Sequence, residues 1–419
     1  MSKLTKLTIS IFAVWLIIVA VATSLTFVTA SIKVTDDVDL MVQAATLASK
    51  CQQAIKQEKA NRGIDTYPLL DTLDTGMLGI PSVWQYLDYY QDGTFEHYEQ
   101  TFEPLLAITT TDGDLFSKRT SCDPNWAALM ISLYRRADLK AGDQVGMTFS
   151  GSFPAMNIAA LASAQVYGLK VCAMSGIGAS YCGANDPRFT FAEMVNLLCE
   201  QGLLTHGIDY LSWGGEDDVL DNRYARDPNA KPHLQRIKQQ VIAPYEANSS
   251  FIYQPSFDDN VDLRISYLSQ DLPKIKMFVN VGGSMAGLGT GFSSFNRTGY
   301  FKGGKLYSPI RRSHNQGLLQ YYKESGLPVV NMINFHQLAT TYNVPYADDE
   351  MVVAPQIGLT EYNVQQGYYS FYYQTAYNPV YAVIALALSC CLAVLYALAR
   401  KKYGPTTQKQ SRNHLLNQR

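Results

Sequence analysis

The sequence predicts an α/β fold, in which a mainly parallel, layered sheet forms one domain between two transmembrane helices. Three observations lead to this prediction. An apolar segment lies near each end of the chain, and each runs for about 20 residues without a charge. Between them, from residue 123 onward, strand-like and helix-like segments alternate. Such alternation is typical of parallel strands connected by helices, as in Rossmann-like domains.

The first apolar segment covers residues 7–28 and follows a short N-terminal stretch, residues 1–6, which carries Lys3 and Lys6. About 20 apolar residues in a helix cross a bilayer core, so we expect a transmembrane helix here. A signal peptide cleaved after Ala30 is the alternative. Signal-peptide cores usually run about 7–15 residues, however, and this segment is longer.

The second apolar segment covers residues 377–399, and a basic tail, residues 400–419, follows it. A tyrosine-rich segment, residues 346–376, precedes it. Tyrosine favours the headgroup level, where the ring is half buried and the hydroxyl stays wet. We therefore expect a membrane-proximal segment followed by a second transmembrane helix. A buried core helix near the C-terminus is the alternative.

Basic residues mark the cytoplasmic side of a membrane span. Both termini are basic and contain no acidic residue. The sequence therefore predicts a two-pass protein of the plasma (inner) membrane, with both termini cytoplasmic and the main domain extracytoplasmic.

The charge of the central part excludes one class of partner. Eight of the 34 basic residues lie in the two termini, which leaves 26 bases against 36 acids between them. Such a surface repels polyanions, so nucleic acid is not an expected partner. An anionic ligand must be held by a local cationic or backbone-amide site.

Residues 33–122 are predicted to form a stalk-like helix over 36–60, followed by an irregular region with a short strand at 105–109. Residues 123–345 are predicted to form the α/β domain. Its expected strands are 144–149, 170–176, 207–215, 276–283 and 327–334. Its expected helices are 123–139, 155–168, 189–202, 232–247, 259–271 and 314–325.

Four predicted strands are followed by loops rich in Gly or Ser, namely 150–152, 175–180, 213–217 and 282–284. Parallel sheets bind ligands beyond the carboxyl ends of their strands, and glycine lets backbone amides approach a ligand. The loop 150–152 fits best, because a strand precedes it and a helix N-terminus follows. The alternative is that these glycines only make tight turns.

We expect cationic support from Lys118 or Arg119, and a turn at Asn185-Asp186-Pro187 whose carboxylate also faces a ligand. No catalytic elbow, zinc motif or phosphate loop occurs, so no catalytic residue, cofactor or metal is predicted. The candidate ligand-binding residues are Lys118, Arg119, Ser150, Gly151, Ser152, Ser180, Asn185, Asp186, Gly282, Gly283 and Ser284.

Several short motifs together resemble one known family. They are 117–121, 142–143, 150–154 with Asn157, 178–180, 183–187, 189–190, Glu193 and 282–284. They resemble the family called poly-gamma-glutamate system protein, and this chain departs from it at Cys182. The resemblance implies a membrane-anchored protein associated with making the poly-γ-glutamate polymer of bacterial capsules. The polymer or its synthase complex is the implied partner.

Three functions follow as hypotheses. The first is an accessory component that binds the γ-glutamyl chain or the synthase outside the membrane. The second is a tethered hydrolase or transferase acting on γ-glutamyl amides, with Ser152 as nucleophile and Lys118 as base. The third is a solute-binding or sensory domain. A Lys, His, Asp or Glu side chain within hydrogen-bonding reach of the hydroxyl of Ser150, Ser152, Ser175 or Ser284 is expected for the second function and not for the first.

Overall fold

The structure is a computed structural model that describes residues 3–64, 76–89, 94–220, 224–290, 297–304, 312–347 and 356–403. Several predictions lie partly outside these ranges. Most of the basic tail, 404–419, is outside them, as are 65–75 and 90–93 of the region before the α/β domain. Residues 221–223, 291–296 and 305–311 of the predicted α/β domain, and 348–355 of the tyrosine-rich segment, are outside as well.

The described helices are α1 (Lys3–Val28), α2 (Val38–Asn61), α3 (Val83–Tyr89), α4 (Phe95–Thr101), α5 (Leu115–Ser121), α6 (Asn125–Arg136), α7 (Pro154–Tyr167), α8 (Phe191–Glu200), α9 (Lys231–Arg236), α10 (Ala243–Ala247), α11 (Phe257–Asp271), α12 (Met285–Leu288), α13 (Leu318–Glu324), α14 (Phe335–Tyr342), α15 (Glu361–Gln365) and α16 (Val380–Tyr403). A π-helical turn, Ile237–Ile242, joins α9 to α10. The strands are β1 (Ser31–Val34), β2 (Gln144–Phe149), β3 (Lys170–Gly176), β4 (Tyr210–Ser212), β5 (Phe251–Ile252), β6 (Ile275–Val281), β7 (Gly299–Phe301), β8 (Val329–Met332) and β9 (Tyr373–Ala376).

The chain divides into two compact units, and the first contains both ends of the chain. Its helices α1 and α16 are long and apolar enough to cross a membrane, with a mean hydropathy of 2.5 in each. They contact each other, and the indole N–H of Trp15 donates to the hydroxyl of Ser389 at 3.1 Å. The strands β1 and β9 pair antiparallel in the same unit.

The second unit, residues 36–372, contains a seven-stranded sheet in the order β5-β4-β3-β2-β6-β8-β7. All neighbours pair parallel except β7 with β8. The predicted α/β fold with a mainly parallel sheet is therefore confirmed. The strands β5 and β7 were not predicted, because two or three residues are too short to show an alternating pattern.

Helices cover both faces of this sheet. On one face α2, α6 and α7 pack together, and the ring of Phe149 on β2 meets the ring of Phe191 on α8 at 6.1 Å. On the other face α11 and α13 bury their apolar side chains against β3, β6 and β8. Burial on both faces explains why the strands β2 and β6 are almost uniformly buried along their length.

The order of the strands places a switch point beside β2. From β2 the chain proceeds to β3 on one side, whereas β6 lies on the other side. The last residue of β2, Phe149, is in register with Ser175 on β3 and Val281 on β6. The loops after these strands therefore leave the sheet at the same level and diverge, which opens a crevice at the carboxyl edge.

The structure corrects the prediction of a stalk. Residues 38–61 are helical as expected, but this helix α2 packs against α6 and α7 within the second unit. Ala44, Ala45 and Ala48 are completely buried and allow close approach of the neighbouring helices. At the far end the amine of Lys59 is buried and donates to the carbonyl of Leu78 at 2.8 Å. These small residues form a packing surface, whereas the stalk prediction considered only the helical periodicity of the segment.

The tyrosine-rich segment is also corrected in part. The hydroxyls of Tyr369 and Tyr372 donate to Asp123 and Asn125, both at 2.8 Å, and both tyrosines are buried. These two rings belong to the core of the α/β unit and do not serve as membrane-interface tyrosines.

The expected strand at 105–109 is absent. A 3-10 helix occupies Glu103–Leu105, where Pro104 favours a helical turn, and Thr109 makes only an isolated bridge to Ala179.

Candidate functional site

A cavity of about 200 Å³ lies at the carboxyl edge of the sheet, and all four predicted Gly/Ser loops line it. Its described lining residues are Thr110, Thr111, Ser150, Ser152, Gly176, Gly178, Gly214, Gly215, Glu216, Gly283, Ser284 and Met285. The loops meet because β2, β3, β4 and β6 run parallel and end together. The expectation that these loops share one edge therefore agrees with the structure.

Close backbone packing explains two of the glycines. A Cβ atom on Gly176 would lie 3.0 Å from the Cα of Gly214, so the loops after β3 and β4 touch through their main chains. At the end of β6, Gly282 has a φ of +85°, and a Cβ there would lie 2.2 Å from the hydroxyl oxygen of Ser150. A side chain at this position would displace that hydroxyl from the cavity wall.

Two nearly buried hydroxyl groups on the cavity wall, those of Ser150 and Ser152, are available as hydrogen-bond donors. The Ser150 oxygen accepts from the N–H of Ser152 at 3.3 Å, and the Ser152 oxygen accepts from the N–H of Ser180 at 3.1 Å. Within the part of the chain that the structure describes, neither hydroxyl donates to a protein acceptor. Both are therefore available to donate to a ligand.

Backbone amides add to these donors. Among the described residues, no protein acceptor pairs with the N–H groups of Gly214, Gly215, Gly283 or Ser284. These residues belong to two separate loops that line the same cavity. Clustered backbone N–H groups and hydroxyls form a site for carboxylate or phosphate oxygens.

Lys118 lies directly behind this wall and is buried. Its amine donates to the carbonyl oxygen of Ser152 and, at 2.6 Å, to the hydroxyl of Ser180, and it lies 4.0 Å from the centre of the Phe153 ring. Burial lowers the pKa of Lys118 to about 7. The amine is therefore partly protonated at neutral pH, and its charge lies behind Ser152 without lining the cavity.

Glu216 introduces a negative charge at the cavity. It is exposed and begins a short 3-10 helix, Glu216–Asp218, after β4. Asp218, two residues further on, is buried and accepts from Arg264 at 2.6 Å and from Ser212 at 2.8 Å. This buried ion pair holds the loop against the sheet and positions Glu216 at the cavity.

Three of the predicted ligand-binding residues have structural roles away from the cavity. The amide of Asn185 is fully buried and bonds to the N–H and carbonyl of Ile80 at 2.8 and 3.0 Å. The carboxylate of Asp186 pairs with Arg188 at 2.7 Å. The buried guanidinium of Arg119 lies 5.8 Å from the ring of Phe116. Asn185 cross-links two loops, so its motif reflects folding more than binding.

The other predicted residues fall into two groups. Ser150, Ser152, Gly283 and Ser284 line the cavity. Gly151, Ser180, Gly282 and Lys118 lie immediately behind it, where they fix the shape of the wall.

The sequence did not predict that Thr110, Thr111 and Met285 line the cavity. Glu216 lies in the predicted loop 213–217, although it was not among the individual candidate residues. Thr110 had no signal in the sequence, since it reaches the cavity through a long-range bond from its N–H to the carbonyl of Ala179 at 2.8 Å.

The geometry tests the predicted role of Ser152 as a nucleophile with Lys118 as its base. Among the described residues, no Lys, His, Asp or Glu side chain hydrogen-bonds to the hydroxyl of Ser150, Ser152, Ser175 or Ser284. Lys118 contacts the carbonyl of Ser152 and the hydroxyl of Ser180 instead. The pairing of Ser152 with Lys118 as nucleophile and base is therefore not formed.

In the described ranges, no group of three or more His, Cys, Asp or Glu side chains is placed to hold a metal ion. Comparison of the chain with family models, curated proteins and solved structures finds no match.

Proposed function

We propose that this chain is a two-pass membrane component of poly-γ-glutamate synthesis or export, whose α/β unit binds the γ-glutamyl chain outside the cytoplasm. The observation that carries the proposal is the set of donors at one cavity. Hydroxyls of Ser150 and Ser152 and backbone amides of two glycine loops line it, and none has a protein acceptor among the described residues. A γ-glutamyl chain presents one α-carboxylate per residue, which is the matching acceptor.

The overall charge of the chain makes this local arrangement necessary. The central part has ten more acids than bases, so its general field does not attract a polyanion. Hydrogen bonds to a charged group contribute roughly 1.5–3 kcal/mol each. Several such donors at one cavity offset the unfavourable field, which is why the site must be built from backbone amides and hydroxyls.

The binding test uses the full chain purified in detergent and a fluorescent γ-glutamyl oligomer, with affinity read by anisotropy. Ser284→Ala removes a cavity hydroxyl that bonds to no other described residue, so the fold stays intact while affinity falls roughly 10- to 150-fold. Ser269→Ala, on the exposed face of α11, is the matched control. Failure of the parent protein to bind the oligomer would contradict the proposal and favour a protein partner such as the synthase.

The topology needs its own test. A reporter fused after Arg419 is expected to behave as cytoplasmic, and one inserted at the exposed Asn229 as external. The basic termini and the two apolar helices support this orientation. A cytoplasmic signal at Asn229 would overturn it.

One observation favours a second candidate, a tethered hydrolase or transferase of γ-glutamyl amides. The amine of Lys118 lies 2.6 Å from the hydroxyl of Ser180, and burial brings the pKa of that amine to about 7. A lysine that is neutral in part can take the proton of a serine nucleophile. This candidate predicts that the full chain cleaves γ-glutamyl amides and that Ser180→Ala abolishes cleavage, while Ser152→Ala, which removes a hydroxyl not bonded to Lys118, retains it.

A further inference from the structure

Glu216 sets the charge of the cavity. Among the described residues that line it, Glu216 alone carries a formal charge. Its carboxylate forms no hydrogen bond or ion pair with another described residue, although the neighbouring Asp218 is neutralised by Arg264. The loop that carries Glu216 is fixed by this buried pair. The cavity therefore presents an uncompensated carboxylate beside a set of donors that suit an anion.

Glu216 and the serine hydroxyls lie at different places along the sheet edge. Glu216 follows β4, whereas Ser150 and Ser152 follow β2, and β3 lies between these strands. Neighbouring strands are about 4.8 Å apart, so the two loops leave the sheet about 10 Å from each other. The backbone amides of Gly214 and Gly215 directly precede Glu216, so a ligand that fills the cavity meets a negative charge with amide donors beside it at one end and the serine hydroxyls at the other.

This arrangement discriminates between the parts of a γ-linked chain. An internal residue offers Glu216 only a neutral amide N–H, beside an α-carboxylate that the charge of Glu216 repels. The amino-terminal residue carries an α-ammonium beside its carboxylate. The size of the cavity also favours a chain end, because about 200 Å³ is below the roughly 300–1,000 Å³ of sites for larger ligands.

We propose that the cavity selects an α-amino-acid end, with the ammonium against Glu216, the adjacent carboxylate against the backbone amides of Gly214 and Gly215, and the rest of the residue extending toward the hydroxyls of Ser150 and Ser152. For a γ-glutamyl chain this end is the amino terminus, and that identification rests on the function proposed above. The ligand class itself, a zwitterion with adjacent ammonium and carboxylate, follows from the charge and donors of the cavity.

The experiment uses the full chain in detergent and two matched pairs of probes. One pair is a γ-glutamyl oligomer with a free amino terminus and the same oligomer N-acetylated. The other pair is glutamate and N-acetylglutamate. Isothermal titration is expected to show about tenfold tighter binding of the free amine in each pair, because a charge-assisted hydrogen bond is lost on acetylation. In Glu216→Gln this difference disappears, whereas Glu246→Gln, on the exposed surface of α10, keeps it.

The outcomes separate this inference from the proposed function. Equal binding of the free and acetylated oligomers would leave γ-glutamyl binding in place and refute the selection of an end. Binding of glutamate that depends on Glu216, without binding of either oligomer, would support the zwitterion site and refute the polymer. A preference that survives in Glu216→Gln would refute the role of this carboxylate, and no binding of any probe would refute both proposals.

Discussion

Two adjacent glycines at the end of β6 provide a test of the cavity wall. Gly282 has a φ of +85°, and a Cβ there would lie 2.2 Å from the hydroxyl oxygen of Ser150. Gly283 has an ordinary φ, and a Cβ there would meet no atom within 4 Å. The change to alanine is therefore expected to lower the free energy of unfolding at position 282 and to leave it nearly unchanged at position 283.

The magnitude follows from these contacts. A left-handed backbone costs an alanine roughly 1–2 kcal/mol relative to glycine. Alanine also restricts the unfolded chain, which returns about 0.4–1 kcal/mol. The collision forces the Ser150 side chain out of its rotamer at about 0.5–1.5 kcal/mol, and its bond to the N–H of Ser152 is lost at about 1 kcal/mol. Gly282→Ala is thus expected to lower the free energy of unfolding by about 1.5–4 kcal/mol, and Gly283→Ala to change it by less than about 0.5 kcal/mol.

The assay is denaturant unfolding of the full chain in one detergent, followed by tryptophan fluorescence, with oligomer affinity measured on the folded variants. Gly282→Ala is expected to weaken binding as well, because it moves the Ser150 hydroxyl. Wild-type stability in Gly282→Ala, or equal destabilisation by Gly283→Ala, would refute the geometry that we describe at the end of β6.

Two further predictions concern buried charges in the α/β unit. Arg264→Met leaves Asp218 buried without its cation and is expected to cost about 3–5 kcal/mol in denaturant unfolding, whereas Arg135→Met, whose own ion pair is half exposed, costs at most about 1 kcal/mol. Equal costs would refute the importance of the buried pair. Burial raises the pKa of Asp123 from 3.8 to about 6, so its favourable contribution is complete below pH 3.8 and is lost as the pH rises through 6. Asp123→Asn is expected to remove this decline of about 3 kcal/mol between about pH 3 and pH 7, and an unchanged pH profile of stability would contradict it.

Much of the α/β unit was readable from local patterns. The strands 144–149 and 170–176 coincide with β2 and β3, because buried parallel strands are continuous apolar runs bounded by Gly and Ser. The end of α7 at Gly168, which has a left-handed conformation, was likewise visible as a glycine after an apolar helix. The meeting of the four loops followed from the rule that parallel strands end at a common edge.

The roles of individual polar residues were not readable in this way. Asn185 and Lys118 were both predicted to bind a ligand. In the structure Asn185 cross-links a distant loop, whereas Lys118 supports the cavity wall. Each role depends on a partner more than 30 positions away in the sequence. A local pattern specifies the conformation of a segment and carries no information about such a partner.

The alternation of apolar runs with Gly and Ser was sufficient to specify an α/β sheet, two apolar end helices and the edge at which the four loops meet. Only the tertiary structure shows the order of the strands and the packing of α2 on α6 and α7. It also shows that Glu216 lines the same cavity as the donors that follow β2 and β6. Secondary structure depends on interactions between residues a few positions apart, which the sequence displays directly. Strand order and the residues that meet at a cavity depend on which distant segments pack together to bury apolar surface. This packing involves the whole chain, so no local pattern displays it.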